Sequence, residues 1–196
     1  MYKYFLITPC YYDCTMKNKL VQRSLMLKIR LVAIIFMISL IISGITAIPL
    51  EKEAKIATQI LGVDINLPTE NYSGMQKWIA FAYQGIMSTN TKYPFIAYGS
   101  DWLAFAHIVI AFAFIGLYRE PVRNKWLVSW AMICCVSVIP FAMICGEIRQ
   151  IPFFWRLIDC SFGIFGLIPL IYLKYLISKA EKMNDYLEGK ERELKI

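Results

Sequence analysis

Four long runs of apolar residues constrain this chain more than any other feature of its sequence. They cover approximately residues 31–50, 102–118, 126–146 and 155–177. A helix rises about 1.5 Å per residue, so about 20 apolar residues match a hydrocarbon core about 30 Å thick. The runs predict an all-α integral membrane protein with four transmembrane helices and argue against a soluble enzyme.

The composition agrees with a membrane location. Hydrophobic residues make up 58% of the chain and charged residues 18%, whereas a soluble domain has about 45–50% and about 25%. The net charge is +7, which in a soluble protein would suggest a nucleic-acid partner. Here the basic residues lie beside the apolar runs, where membrane orientation explains them. The lipid bilayer is therefore the expected partner, and nucleic acid is not.

The distribution of Lys and Arg predicts the orientation of the spans. Fifteen of the 21 basic residues lie in residues 1–30, in the link after the second run and from Lys174 onward. Because cytoplasmic segments carry the excess of Lys and Arg, both termini are predicted to be cytoplasmic, in the plasma membrane or a bacterial cytoplasmic membrane. The predicted divisions are a leader over 1–30, a membrane domain over 31–177 and a charged tail over 178–196.

The beginning of the chain allows more than one interpretation. The first run follows a basic lead and contains Ala47, a small residue that suits a signal-peptide cleavage site. Its length exceeds the usual 7–15 apolar residues of such segments, which favours an uncleaved anchor. The leader is either disordered or precedes the true start, since Met26 with Lys28 and Arg30 resembles a natural beginning.

The segment over 51–101 is the largest predicted extramembrane region, and it is too small for a core of its own. Helix-forming residues extend from Glu51 to Leu61 and end before Gly62. From Met75, apolar residues recur at the three- and four-residue spacing of an amphipathic helix. We therefore expect a small helical cap on the extracytoplasmic side of the membrane, with a helix that lies along the outer membrane surface as the alternative.

Small residues at helical spacing predict where the spans pack. Helix association inside a bilayer depends on close approach through small residues and on polar contacts. The expected packing residues are Ser39, Ser43 and Ala47 in the first run, Ala104 and Ala111 in the second, and Gly163, Gly166 and Leu170 in the fourth.

Polar residues at similar depth predict a candidate site. On the predicted topology they all lie toward the outer side, where spans two, three and four would form a pocket for a ligand, a lipid or a partner protein. Ionisable groups within spans usually face the bundle interior or a wet cavity. The candidate binding residues are Asp101, His107, Glu147, Arg149, Arg156 and Asp159.

Each of these residues also has a structural interpretation. Arg156 and Asp159 stand three residues apart, so an intrahelical ion pair is geometrically easy. Asp101 begins a span, where an acidic side chain caps a helix. His107 is the sole histidine of the chain, which gives little reason to expect a metal or haem site. No cofactor is evident.

Two cysteines support an alternative function. Cys145 and Cys160 share the predicted outer depth, so a thiol or quinone-linked membrane oxidoreductase is a second interpretation. In architecture, the four spans resemble the disulfide-forming, quinone-reducing membrane enzymes, which use cysteine pairs in their outer loops. The segment over 51–101 contains no cysteine, so no residue role is transferred from that family.

A third interpretation is a small proton-coupled transporter subunit in which His107 and Asp159 handle protons. Four spans are few for a monomeric transporter. This function would therefore require a homo-oligomer or a partner membrane subunit.

Overall fold

The computed structural model describes residues 9–193, and helices account for 87% of them with no strand. This result confirms the predicted all-α class. Two short 3-10 turns, Thr69–Asn71 and Pro94–Ala97, precede α3 and α4 respectively. The helices are α1 (Pro9–Thr46), α2 (Leu50–Ile60), α3 (Gly74–Lys92), α4 (Tyr98–Arg119), α5 (Lys125–Ile148) and α6 (Phe153–Glu193).

Four helical segments are long and apolar enough to cross a membrane, as predicted. They are Met16–Thr46, Pro94–Arg119, Lys125–Ile148 and Phe153–Lys190. The first predicted run needs one correction, because α1 ends at Thr46 and a turn before Pro49 leads into α2. Proline has no amide hydrogen for a helical bond, which explains the break. The chain is thus a multi-pass membrane protein.

The leader contains helical residues that the sequence pattern did not indicate. Helix α1 begins at Pro9 and continues through Arg30 into the first span without interruption. Residues 1–8 and 194–196, which carry the predicted ends of the leader and tail, lie outside the described residues.

The segment over 51–101 is helical, as predicted. Helix α2 ends in a Schellman motif, in which Gly62 takes the left-handed conformation with φ of 65°. The amide of Val63 donates to the carbonyl of Thr58 at 2.8 Å, and that of Gly62 donates to Gln59 at 3.2 Å. These bonds satisfy carbonyls that the helix end would leave without partners. Gly62 therefore ends α2 at the place that the sequence indicated.

The chain forms two compact units. The first, here called the hairpin unit, combines the described residues up to Phe36 with those from Phe114 onward. The second, here called the cap unit, covers Met37–Ala113. The core of the hairpin unit draws on α1, α4, α5 and α6, and its fully buried side chains include those of Ile29, Phe114, Leu117, Val128, Leu170, Leu173 and Ile177.

Glycines bring α5 and α6 into close contact in the hairpin unit. A Cβ atom placed on Gly163 would overlap the backbone carbonyl of Cys135, and one on Gly166 would lie 2.9 Å from the Cys135 Sγ. The predicted stripe of glycines therefore faces a neighbouring helix. Backbone contact of this kind gives transmembrane helices close van der Waals packing.

In the cap unit, the close approach of α1 to α4 uses a different residue from the ones predicted. A Cβ atom on Gly44 would lie 2.9 Å from the Ala104 carbonyl oxygen and 3.0 Å from the His107 Cβ. Ala104 is buried, as expected, whereas Ser43 is exposed. The prediction of Ser43 as a packing residue was wrong by one position, because the helix turns the adjacent Gly44 toward α4.

Candidate functional site

The link between α5 and α6 is a second Schellman motif, with a glutamine where α2 has a glycine. Gln150 has φ of 57° and is the only non-glycine residue with positive φ among the described residues. The amide of Ile151 donates to Gly146 at 2.9 Å, and that of Gln150 donates to Glu147 at 3.0 Å. Since Pro152 follows directly, the chain turns within residues 149–152 and starts α6 at Phe153.

Arg156, in the first turn of α6, bonds both to this link and to the end of α5. Its Nε donates to the Ile151 carbonyl at 2.8 Å, and its Nη1 forms an ion pair with the carboxylate of Glu147. The Arg156 side chain is only 14% exposed, while that of Glu147 is 74% exposed. A Cβ on Gly146 would lie 2.5 Å from the Arg156 Cδ, so Gly146 leaves room for the arginine stem.

These contacts correct the expected pairing of Arg156 with Asp159. The arginine pairs backward across the link with Glu147, and the part of the chain that the structure describes contains no ion pair of Asp159. Asp159 is half-buried on α6, and Arg149 is an exposed residue at the end of α5. Arg156 thus has a structural role that accounts for two of its nitrogen atoms.

The register of α5 against α6 separates the two candidate redox cysteines. Cys160 is buried, and its thiol lies 3.9 Å from the Ile139 carbonyl oxygen. Cys145 follows Ile139 by six residues, which is about 9 Å along the helix axis. Disulfides join Cα atoms about 4.4–6.8 Å apart. Both cysteines are free thiols, and this register offers no support for a redox pair formed by the two.

The remaining two candidates lie on α4 in the cap unit. Asp101 is exposed in the first turn of the helix, where a carboxylate interacts favourably with the helix dipole. The Nδ1 of His107 donates to the Leu103 carbonyl at 2.8 Å, one turn earlier. In the neutral imidazole this bond leaves Nε2 as an acceptor. The predicted pocket would draw residues from both units, and it stays a prediction.

A groove that the sequence did not reveal lies within the cap unit. Its volume is about 570 Å³, which is within the range of about 300–1,000 Å³ typical of small-molecule sites. It is bounded by the turn from α1 into α2, by one face of α3 and by the turn that opens α4. Its lining includes Ile48, Leu50, Gly85, Ile86, Ile96, Gly99 and Ser100.

Most polar side chains in this groove come from α2 and α3, and Ser100 comes from the start of α4. The amide nitrogen of Asn90 donates to the carboxylate of Glu51, and both residues are half-buried. Thr89 and Lys52 also line the groove. A mainly apolar lining with a few placed polar groups is the usual composition of a ligand site.

The groove is difficult to find from the sequence because its residues come from three separated segments. Only two local signals mark it. Gly85 interrupts the apolar face of α3, and Pro49 separates α1 from α2. Neither signal shows that the three segments surround one space.

Aromatic side chains follow the groove on α4. Tyr98 and Trp102 meet edge to face with ring centroids 5.9 Å apart, and Trp102 meets Phe105 in the same way at 5.7 Å. All three side chains are exposed. Tyr and Trp are enriched at membrane–water interfaces, where their rings sit at the headgroup level.

Among residues 9–193, no group of three or more His, Cys, Asp and Glu side chains is arranged to hold a metal ion. No protein-family model matches the chain, and no significant match is found among curated proteins or solved structures.

Proposed function

We propose that this multi-pass membrane protein is a non-enzymatic binding protein that takes a small amphipathic ligand into the groove of the cap unit. The groove itself is the observation that carries the proposal, because its volume and mixed lining suit such a ligand. This site replaces the predicted pocket around His107, Arg156 and Asp159, since Arg156 already has structural partners.

The chemistry of the groove favours a molecule with an apolar body and a neutral or zwitterionic polar end. Ile48 and Ile96 are about half exposed at its walls and would contact the apolar part. Glu51 and Lys52 carry opposite charges, so the lining has no net charge to attract an ion of either sign. A lipid, or a lipid-like metabolite, fits this description.

The proposed orientation puts the groove on the outer side of the plasma membrane, or of the cytoplasmic membrane in a bacterium. The excess of Lys and Arg in the segments predicted to be cytoplasmic supports this orientation. The exposed ring of Trp102 supports a place at the headgroup level. A reporter that works only outside the cytoplasm should stay inactive when it is fused after Ile196, and strong activity would overturn the orientation.

Native mass spectrometry of the protein purified in mild detergent tests the ligand proposal. Gly85 lines the groove and a Cβ placed on it meets no atom within 4 Å, so Gly85→Phe adds a bulky ring at the groove lining without a clash at Cβ. Gly189, near the end of α6, is equally open, and Gly189→Phe serves as the matched control. We expect the wild type and the control to retain the same small-molecule mass, and Gly85→Phe to lose it.

Two results would contradict the proposal. One is a wild-type protein that carries no small molecule after purification and binds none from a lipid extract of its own membrane. The other is a bound molecule that Gly85→Phe retains as well as Gly189→Phe does.

A further inference from the structure

A second groove lies on α1 within the hairpin unit. Its volume is about 440 Å³, and it is lined by Gln22, Arg23, Met26, Leu27 and Arg30. The two arginines stand seven residues apart, which places them about 10.5 Å apart along one face of the helix. Met26 and Leu27 form an apolar surface between the two cationic side chains.

Arg30 is held in place by the end of α4. Its Nε donates to the Tyr118 carbonyl at 3.3 Å, and its guanidinium lies 5.5 Å from the centroid of the Tyr118 ring. A guanidinium has five N–H donors, so the bond to Tyr118 uses only one of them. An arginine that is oriented in advance loses less conformational freedom when it binds an anion.

The groove lies where the uncharged run of α1 begins, which is where an anionic phospholipid would place its headgroup. Arg30 immediately precedes the uncharged run that begins at Leu31. The headgroup layer adds about 5–8 Å on each side of the hydrocarbon core. Arg23 lies about 10.5 Å beyond Arg30, and a long arginine side chain can reach back to that layer. Its side chain is exposed.

All charged residues in this part of α1 are basic. Lys17, Lys19 and Lys28 accompany the two arginines, and the described side chains from Met16 to Arg30 include no acidic residue. Basic clusters directly beside a transmembrane helix attract anionic lipids. Arginine also binds phosphate through two parallel hydrogen bonds, which lysine does not offer.

We propose that Arg23 and Arg30 bind the phosphate group of an anionic phospholipid, with an acyl chain lying over Met26 and Leu27. The site is separate from the groove of the cap unit and does not depend on the function proposed for it. The two arginines provide the charge and the bidentate geometry, while the apolar surface between them contacts the apolar part of the lipid.

The test measures lipid binding to the full chain in mild detergent by native mass spectrometry. The probes are dioleoylphosphatidylglycerol, which is anionic, and dioleoylphosphatidylcholine, which is zwitterionic and has the same chains. The variant R23Q/R30Q removes both arginines, and K17Q/K19Q removes two charges from the same helix outside the groove. We expect R23Q/R30Q to weaken phosphatidylglycerol binding about tenfold or more, and K17Q/K19Q to weaken it less than about threefold.

Three outcomes would overturn the proposal. The first is equal binding of the two lipids by the wild type, and the second is an equal loss in R23Q/R30Q and K17Q/K19Q, which would indicate diffuse charge attraction. The third is displacement of phosphatidylglycerol by inorganic phosphate at equal concentration, which would exclude a contribution from the acyl chains.

If R23Q/R30Q does not fold, R23K/R30K tests the same site. It keeps the charge and removes the bidentate geometry, so we expect about a threefold loss of phosphatidylglycerol binding. Wild-type binding by R23K/R30K would contradict the proposed role of the guanidinium groups.

Discussion

We expect that replacing Gln150 with glycine will stabilise the protein. Gln150 occupies the left-handed position of the Schellman motif after α5, with φ of 57°. Its side chain is exposed, and the hydrogen bonds of the motif come from the backbone, so glycine can form them equally well. The substitution removes the contact between Cβ and the carbonyl oxygen that disfavours this conformation.

The expected gain is about 1 kcal/mol in the free energy of unfolding. Relief of the left-handed conformation contributes about 1–2 kcal/mol, and the greater freedom of glycine in the unfolded chain opposes it by about 0.4–1 kcal/mol. For a chain of this length, about 1 kcal/mol raises Tm by about 2–4 °C.

Gly62 provides the opposite test within the same chain. It occupies the same position after α2 with φ of 65°, and a Cβ there meets no atom within 4 Å. Gly62→Ala therefore introduces backbone strain without a clash, and we expect it to lower Tm by a similar amount. Both variants are measured by thermal unfolding in one detergent at one scan rate, because unfolding of such proteins is often irreversible.

The two results together test the reasoning. A lower or unchanged Tm for Gln150→Gly, with the expected decrease for Gly62→Ala, would show that the Gln150 side chain makes a stabilising contact. An unchanged Tm for Gly62→Ala would show that left-handed strain has little effect on the stability of this protein.

Two further substitutions test the packing of α5 against α6. Gly163→Ala places a Cβ against the backbone of α5, so we expect the free energy of unfolding to fall by about 1–3 kcal/mol and Tm to decrease. Gly85→Ala, at an open position, should not lower Tm. Equal Tm values for the two variants would refute the close contact. Arg156→Gln removes the ion pair with Glu147, so we expect the free energy of unfolding to fall by about 1–2 kcal/mol. A greater decrease in Asp159→Asn would mean that Asp159 is the more important polar residue.

The spans were predictable from the sequence because an uncharged run of about 20 residues has few alternatives to a membrane helix. Gly163 and Gly166 were predictable for a related reason, since small residues on one helix face allow close packing. The same rule selected Ser43 where the structure uses Gly44. Neighbouring residues on a helix differ in direction by about 100°, and a stripe of small residues does not show which neighbour meets the next helix.

The partner of Arg156 could not be deduced from helical spacing. Asp159 is one turn away on the same helix, but Glu147 reaches the arginine because the Schellman motif folds the last turn of α5 onto the first turn of α6. A signal for this pairing does exist in the sequence, namely opposite charges on the two sides of a short link that contains Pro152. The groove of the cap unit has no comparable signal, because it depends on where three separate segments meet.

The ion pair at the α5–α6 link also bears on how the protein enters its membrane. On the predicted topology this link must cross the bilayer during synthesis, and an arginine at the centre of a membrane helix is unfavourable for insertion by about 2.5–3.5 kcal/mol. In the folded protein the Glu147 carboxylate offsets the charge of Arg156, while Arg149 in the same link is exposed. The short link and the glycine contacts make α5 and α6 a closely packed helical hairpin that carries this charge pair at its turn.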